Sequence, residues 1–596
     1  MLRFTFSWEE DVCPICGETL RTLRHTEPRK VISIRYGAFE AVERQGFCPR
    51  HPDAPPFRSR ELRRIVAPGA KYAYDVLAAV GLARFLECRQ AEEIERELSR
   101  HPGIEIHVST INCLARKFVA YFQLVHGQSV GLLRGQMQTR GGYILHVDGT
   151  CEEGSQVVLV CIDSLSGQIL ESRKISSENM EEVRKVLEDV RRDWGVPLAI
   201  VHDLRNTLIR VAGEVFQGVQ QFVCHYHFAA DVGKDILSSH VDRLRRLFRR
   251  TKVRPKLRQM VRDLKDFAIS QENGKHVVAS ILKSRSKTEL REHCTPEAAK
   301  GIVHGLASWT LAFSQAGEGY GFPFDLPYLT LYERVLEVHR LLSEVHCQGG
   351  RRGPLGAFSR LKKILDPVVT GSYADEFREI VGDTRRDRRI FERFRSALRI
   401  CPKGGKERRN DHGAPETLSP KRHKAVLEKL YASLKKKARS GRSGGPPQKA
   451  ARIVIDHLDK YWRFLFGHVI RKGGREIVVP RTNNVEESLF RLVKRQCRRL
   501  HGRGHLCRDM DAMLPGTPLV LNLRNASYCD VVYGSADPGK IAEVFSDVDP
   551  SAVAELLESW RREKLSTALP DKLGKANDLP SQVAPFVSMV FKELRR

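Results

Sequence analysis

A chain of 596 residues with 100 Lys and Arg against 72 Asp and Glu, formal net charge +28, is too long for one core and predicts roughly three to five domains of about 100–200 residues. The positive field calls for a polyanionic partner. A 41% hydrophobic fraction is ordinary for a folded protein, and the absence of any run of about 18 apolar residues or of a signal-like N-terminus predicts a soluble intracellular protein with no membrane partner.

Fourteen scattered cysteines in a reducing compartment are thiols or metal ligands. In residues 1–60, Cys13-Pro14-Ile15-Cys16-Gly17 and Cys48-Pro49-Arg50-His51 each aim two donors at one point. Cys13, Cys16, Cys48 and His51 therefore predict a tetrahedral structural Zn2+ in a small zinc-binding domain. Four protein ligands leave no open position for catalysis.

Residues 61–138 read as helical. An amphipathic helix over 90–98, a turn at His101-Pro102-Gly103 and a second helix from about 108, N-capped by Ser109 or Thr110, has the shape of a helix-turn-helix unit. Asn112, Arg116 and Lys117 are its candidate DNA contacts. An ordinary helical hairpin is the plainer alternative.

Residues 139–228 alternate strands and helices: strands at 143–150, 156–162 and 168–175, a helix at 178–194, a strand at 198–203, a helix at 207–216 and a strand at 221–223. Three strands, helix, strand, helix, strand is the order of a ribonuclease-H-like fold, with acids on the first strand and at the end of the fourth. Asp148 and Asp203 fall there. Residues 229–479 turn mostly helical and read as an α-helical insertion in that core. Its basic linker near 401–450 holds fourteen Lys or Arg against four Asp or Glu, a composition predicting mobility until phosphates are met. Residues 480–525 return to the core, and 526–596 form a C-terminal region. The fold class is thus multidomain α/β, a ribonuclease-H-like core interrupted by a large helical insertion and preceded by zinc-binding and helix-turn-helix domains.

Phosphodiester hydrolysis needs an activated water and charge neutralisation on both the attacking and leaving oxygens, which divalent metals supply. Hard cations need only a few carboxylates, since water and substrate phosphate complete the octahedron. Asp148 and Asp203 each end a buried apolar strand, where a carboxylate is costly unless a cation or donor compensates it. A third acid stands on a helix predicted over 484–500, begun by Asn483 or Asn484. There Glu487, Arg491, Lys494, Arg495 and Arg498 recur at spacings of three and four, placing a carboxylate ahead of phosphate-binding cations. Glu486 competes with Glu487, and a solvated basic helix is the alternative to a ligand-bearing one.

Asp148-Gly149-Thr150, His202-Asp203, Cys224-His225-Tyr226-His227 and Thr482-Asn483-Asn484-Val485-Glu486-Glu487-Ser488-Leu489 together resemble the DDE transposases of bacterial insertion sequences. The resemblance is greatest to the Mutator-like branch, which has a Cys-x-x-His after the second aspartate, a helical insertion before the glutamate, and N-terminal zinc and helix-turn-helix units. It implies a transposase that binds terminal inverted repeats and cuts and joins DNA. Asp148, Asp203 and Glu487 would be the catalytic triad holding Mg2+ or Mn2+, with Glu487 chosen by the family's Asn-x-x-Glu-Ser pattern. It also implies a homodimer or larger assembly on double-stranded DNA, element ends and target alike, in the cytoplasm at the bacterial nucleoid. Cys224 and His227 match the family's auxiliary motif; a buried cysteine and a hydrogen-bonded histidine are their plainer reading. Two other functions stay open, a catalytically inactive DNA-binding regulator derived from a transposase and a nuclease without strand transfer. Cys497, His501, His505 and Cys507 lack paired knuckle spacing, and Trp309 and Phe322-Pro323-Phe324 read as helix-core packing rather than base stacking.

Overall fold

Residues 1–152, 154–267, 296–346, 356–400, 420–439 and 446–573 are described by the computed structural model. They fall into two units, residues 1–221, 471–479 and 483–596 in one and residues 222–470 and 480–482 in the other.

The first unit opens with a small sheet of β1 (Leu2–Ser7), β2 (Arg21–His25), β3 (Arg29–Ser33) and β4 (Gly37–Phe47). β4 is paired by β1 in parallel and by β2 and β3 antiparallel. Gly37, at φ +70°, makes the turn from β3, a conformation that favours glycine. Alternation on β4 buries Phe39 and Ala41 against Val31, Leu62, Val66 and Ala73.

Five helices follow: α1 (Arg60–Ile65), α2 (Tyr74–Phe85), α3 (Ala91–Leu98), α4 (Val108–Gln128) and α5 (Val130–Thr139). α3 is closed at its start by Glu93 Oε2 accepting from the Gln90 N–H at 2.8 Å. α4 begins at Val108 without a side-chain cap, so Ser109 and Thr110 lie inside its first turn and do not cap it. Burial of Ile104, Ile106 and Ile111 sets where the chain turns, and tertiary packing overrides the local cap signal. α2 and α4 cross closely, because a Cβ on Gly81 would lie 2.0 Å from the Phe118 ring.

Next comes the five-stranded sheet, of order β7-β6-β5-β8-β9: β5 (Ile144–Thr150), β6 (Val157–Asp163), β7 (Gln168–Ile175), β8 (Ala199–His202) and β9 (Gln220–Val223), with α6 (Met180–Trp194) and α7 (Asn206–Val215) as connections. β5, β6 and β7 form an antiparallel meander, and β8 pairs β5 in parallel. Asp163 fastens the first hairpin by accepting from the N–H groups of Ile144 and Leu165 at 3.1 and 3.0 Å. α6 turns Val183, Val186, Leu187 and Val190 inward and is capped by Asn179. One hydrophobic core runs through α2 to α5, the sheet and the C-terminal helices.

The second unit is helical: α8 (His225–Thr251), α9 (Val253–Asp263), α10 (Pro296–Leu311), α11 (Pro327–His346), α12 (Gly356–Val369), α13 (Ala374–Ala397), α14 (Pro420–Arg439) and α15 (Pro446–Tyr461). α8 and α13 pack through Phe228 on Phe394 and Phe248 on Phe377, at centroid distances of 5.6 and 4.9 Å. Of the basic stretch expected near 401–450, residues 401–419 and 440–445 lie outside the described residues, and 420–439 form α14. After a hairpin of β10 (Val469–Lys472) and β11 (Arg475–Val478), the first unit is completed by α16 (Asn484–His501), α17 (Cys507–Ala512), α18 (Ala526–Tyr533) and α19 (Pro550–Leu573). Among the described residues no helix is long and apolar enough to cross a membrane.

Candidate metal centres and nucleic-acid contacts

The two N-terminal knuckles converge. The Cys13 carbonyl accepts from Gly17 N–H at 2.8 Å and the Cys48 carbonyl from His51 N–H at 3.0 Å, folding each motif back so that its two donors face inward. Cys13 Sγ lies 3.8 Å from His51 Nδ1, Cys16 Sγ 3.6 Å from Cys48 Sγ and from His51 Nδ1, and Cys48 Sγ 3.5 Å from His51 Nδ1. A tetrahedron with bonds of ~2.3 Å to sulfur and ~2.0 Å to nitrogen has edges of ~3.8 and ~3.5 Å, so the donor set fits zinc in both chemistry and spacing. The Ile15 backbone N–H, with those of the neighbouring donors, draws the Cys13 thiol down to about 6, the thiolate a metal needs.

Asp148 is buried on β5 at 7% exposure. The β5–β8 register pairs Val147 with His202; continued by one residue past the end of β8, it sets Asp203 opposite Asp148, ~4.8 Å away in the pairing direction. Asp203 is held by Arg205, whose backbone N–H donates to Oδ1 at 3.0 Å and whose Nε donates to Oδ2 at 3.1 Å. The same guanidinium pairs with Glu178, a side chain 7% exposed that lies so near β5 that a Cβ on Gly149 would meet its Oε1 at 2.5 Å. Two buried imidazoles flank the aspartates in sequence, His146 on β5 and His202 at the end of β8. Burial pushes His146 down to about 4, with Asn483 near enough to oppose the shift, and burial also lowers His202, which contacts the Asp203 carbonyl at 2.7 Å and Gln221 at 3.0 Å. Both rings are neutral at pH 7.

Asn483, the residue before α16, thus lies near His146 on the strand that carries Asp148. α16 buries Glu486, Leu489, Phe490, Val493 and Cys497 along one face and packs on β5 and β6. Burial, then the charges of Glu171 and Glu486, push the Cys161 thiol of β6 up, which puts Glu486 on the sheet side of the helix. Glu487 is partly exposed on the next stripe with Arg491, Lys494 and Arg498, and Arg495 is exposed beside them. Lys494 reaches the chain just after β5, pairing with Glu152 at 2.9 Å and the Cys151 carbonyl at 3.3 Å. Among the described residues the Cys13, Cys16, Cys48 and His51 group is the one set of three or more such donors drawn within 4.8 Å of one another; no trio of carboxylates meets that spacing.

In the second unit Cys224 is buried as the residue preceding α8, and His227 stands in the first turn. His225 is fully buried like Cys224; its N–H donates to the Arg481 carbonyl at 2.8 Å and its Nε2 lies 3.2 Å from the Leu465 carbonyl. Asn112, Arg116 and Lys117 are all exposed on α4. Cys497 is buried, its thiol pushed up to about 11 by that burial. Phe324 is buried and stacks on Tyr226 at 5.0 Å, while Trp309 lies under the Arg334 guanidinium at 4.5 Å. Reading the sequence missed Glu178 and Arg205. Their signal, an arginine two residues after Asp203 and a glutamate just before a helix cap, acquires meaning only from the strand register.

No protein-family model and no curated protein matches this chain. Among solved structures, the Drosophila P element transposase strand transfer complex aligns over 82% of this chain and 94% of its own at a TM-score of 0.29 and 10% identity.

Proposed function

We propose that the chain is a metal-dependent transposase that binds the ends of its element and cuts and joins DNA, built on a ribonuclease-H-like core with a helical insertion. The observation that carries this reading is the β5–β8 register of a sheet ordered β7-β6-β5-β8-β9, which, continued by one residue, sets Asp203 opposite Asp148, with α16 packed on β5 and β6. An all-oxygen donor set suits magnesium or manganese, which keep several waters and need only one or two carboxylates beside substrate phosphate. Such an ion, when bound, acidifies water and neutralises charge on the reacting phosphate.

Asp148 and Asp203 are the proposed ligands, with a third acid from the first turn of α16. Family spacing selects Glu487, and burial on the sheet side selects Glu486. Arg205, steadied by Glu178, keeps Asp203 aimed and compensates its charge. Arg491, Lys494, Arg495 and Arg498 line up phosphates, Asn112, Arg116 and Lys117 supply sequence contacts, and the Cys13, Cys16, Cys48 and His51 zinc is structural. In the first reaction the water oxygen attacks phosphorus and the P–O3′ bond breaks, leaving a 3′-hydroxyl and a 5′-phosphate. In the second, that hydroxyl oxygen attacks a target phosphorus and displaces the target's 3′-oxygen. The test is supercoiled donor plasmid carrying the element ends with magnesium or manganese. Asp148→Asn and Asp203→Asn are expected to bind the ends and neither cut nor join; undiminished cleavage by Asp203→Asn overturns the proposal, and cleavage without joining leaves a nuclease.

A further inference from the structure

Seven arginines stud α13, and acids compensate five of them. Arg378 pairs with Asp375, Arg385 with Glu333, Arg386 with Asp383, Arg388 with Glu392 and Arg395 with Glu318. Among the described residues the remaining two, Arg389 and Arg393, pair with no acid. They are the two that line an open groove of about 680 Å³ between α13 and α14, together with Ser396, Val426 and Lys429. Among the described residues Lys429 has no acidic partner either, and the groove's one carboxylate, Glu392, is engaged by Arg388 and Arg395, each at 3.6 Å. Arg389 and Arg393 are one turn apart, ~6 Å along the axis, and Lys429 faces them from α14. The helix thus neutralises its cations everywhere except at this groove. Three uncompensated cations side by side repel one another unless an anion joins them, and Val426, 41% exposed between them, offers an apolar contact.

We propose that this groove is a track for the sugar–phosphate backbone of duplex DNA, with Arg389, Arg393 and Lys429 on phosphates and Val426 against deoxyribose. The assignment rests on the DNA reading above but not on its catalytic residues. It is tested by fluorescence anisotropy of a ~30-base-pair duplex against the full chain, without divalent metal, across ~50–300 mM salt. Each lost phosphate contact lowers the slope of log K against log salt by ~0.9. The triple variant Arg389→Gln/Arg393→Gln/Lys429→Gln is therefore expected to lose two to three from the slope and at least ~tenfold in affinity at ~100 mM salt. Arg378→Gln/Arg385→Gln/Arg388→Gln, on the same helix but acid-paired, is expected to change the slope by less than one. If the triple variant fails to fold by circular dichroism, Arg389→Gln alone is read against a slope loss of ~0.9. An unchanged slope overturns the proposal, as does loss of nucleoside triphosphate binding with duplex binding intact, which makes the groove a nucleotide pocket. A slope that falls in a chain unable to cleave leaves the groove standing while the catalytic reading falls.

Discussion

Removing one donor from the N-terminal centre, Cys16→Ser, should unfold a defined stretch of chain while the rest stays folded. The knuckle's own core consists of Cys13, Leu20 and Cys48, with Trp8, Cys16 and Phe57 partly buried around it. Two of the three buried members are ligands, so Leu20 is the one buried aliphatic side chain, contributing ~1.5–3 kcal/mol. Ordering each backbone residue costs ~1–2 kcal/mol, so that core cannot hold the two knuckles alone. A four-donor zinc contributes ~10–16 kcal/mol of apparent binding energy and exceeds the local core several-fold. The adjoining cluster of Val31, Phe39, Ala41, Leu62, Val66 and Ala73 shares no ligand and should persist. Elemental analysis of the purified chain is expected to find one zinc per molecule, absent from Cys16→Ser. Hydrogen exchange in the variant should rise over residues 8–20 and 46–57 and hold its protection at Val31 and Phe39. Full protection at the Cys13 and Cys48 amides in a zinc-free chain would refute the reasoning.

Glu487→Gln is expected to reduce cleavage by at least ~100-fold with the melting temperature unchanged, whereas Glu486→Gln should shift melting; the reverse pattern moves the third ligand to Glu486. Gly81→Ala drives a methyl group into Phe118, which lies 2.0 Å from its position, and should cost ~1–3 kcal/mol or more in denaturant unfolding; an unchanged midpoint would mean that α2 and α4 do not cross as closely as described. His126, bonded to Tyr528 Oη at 2.9 Å and the Leu170 carbonyl at 3.1 Å, is pushed down to about 4 by burial. Its folded pKa lies below the ordinary ~6.5, so the unfolded chain takes up the proton first. Its contribution is complete above pH 6.5 and is lost as pH falls towards 4, a difference of roughly 3 kcal/mol. His126→Gln should flatten the melting temperature over that window, and identical pH profiles would exclude the mechanism.

The sheet was legible because its strands are buried on both faces and therefore spell continuous β-branched runs: Val157–Asp163 and Ala199–His202 lie within a residue or two of the expected spans. Paired knuckle spacing carried the Cys/His centre, since two short turns aim four donors whatever lies between them. Helix starts were harder to read. Ser109 and Thr110 look like caps, but burial of Ile104 and Ile106 decides where α4 begins. Glu486 and Glu487 differ by one step of helical phase, about 100°, and only the packing of α16 on β5 and β6 tells which of them faces the sheet. Glu178 and Arg205 stayed hidden for a similar reason. Residues 27 positions apart meet through the register of β5 against β8 and the path of β7 into α6, neither of which local sequence encodes.

Arg205 sets the charge pairing seen around Asp203. The strand register sets the backbones at Asp148 and Asp203 ~4.8 Å apart, and Glu178 lies against Gly149. Arg205 bonds both Asp203 and Glu178, so one guanidinium bridges the two acids. Arg205 is 48% exposed and sits at the entry to α7, so its side chain can turn to solvent or to a phosphate without disturbing the strands. On the proposed reading, that movable cation lets a divalent ion take over its role at Asp203 when a phosphate receives the arginine.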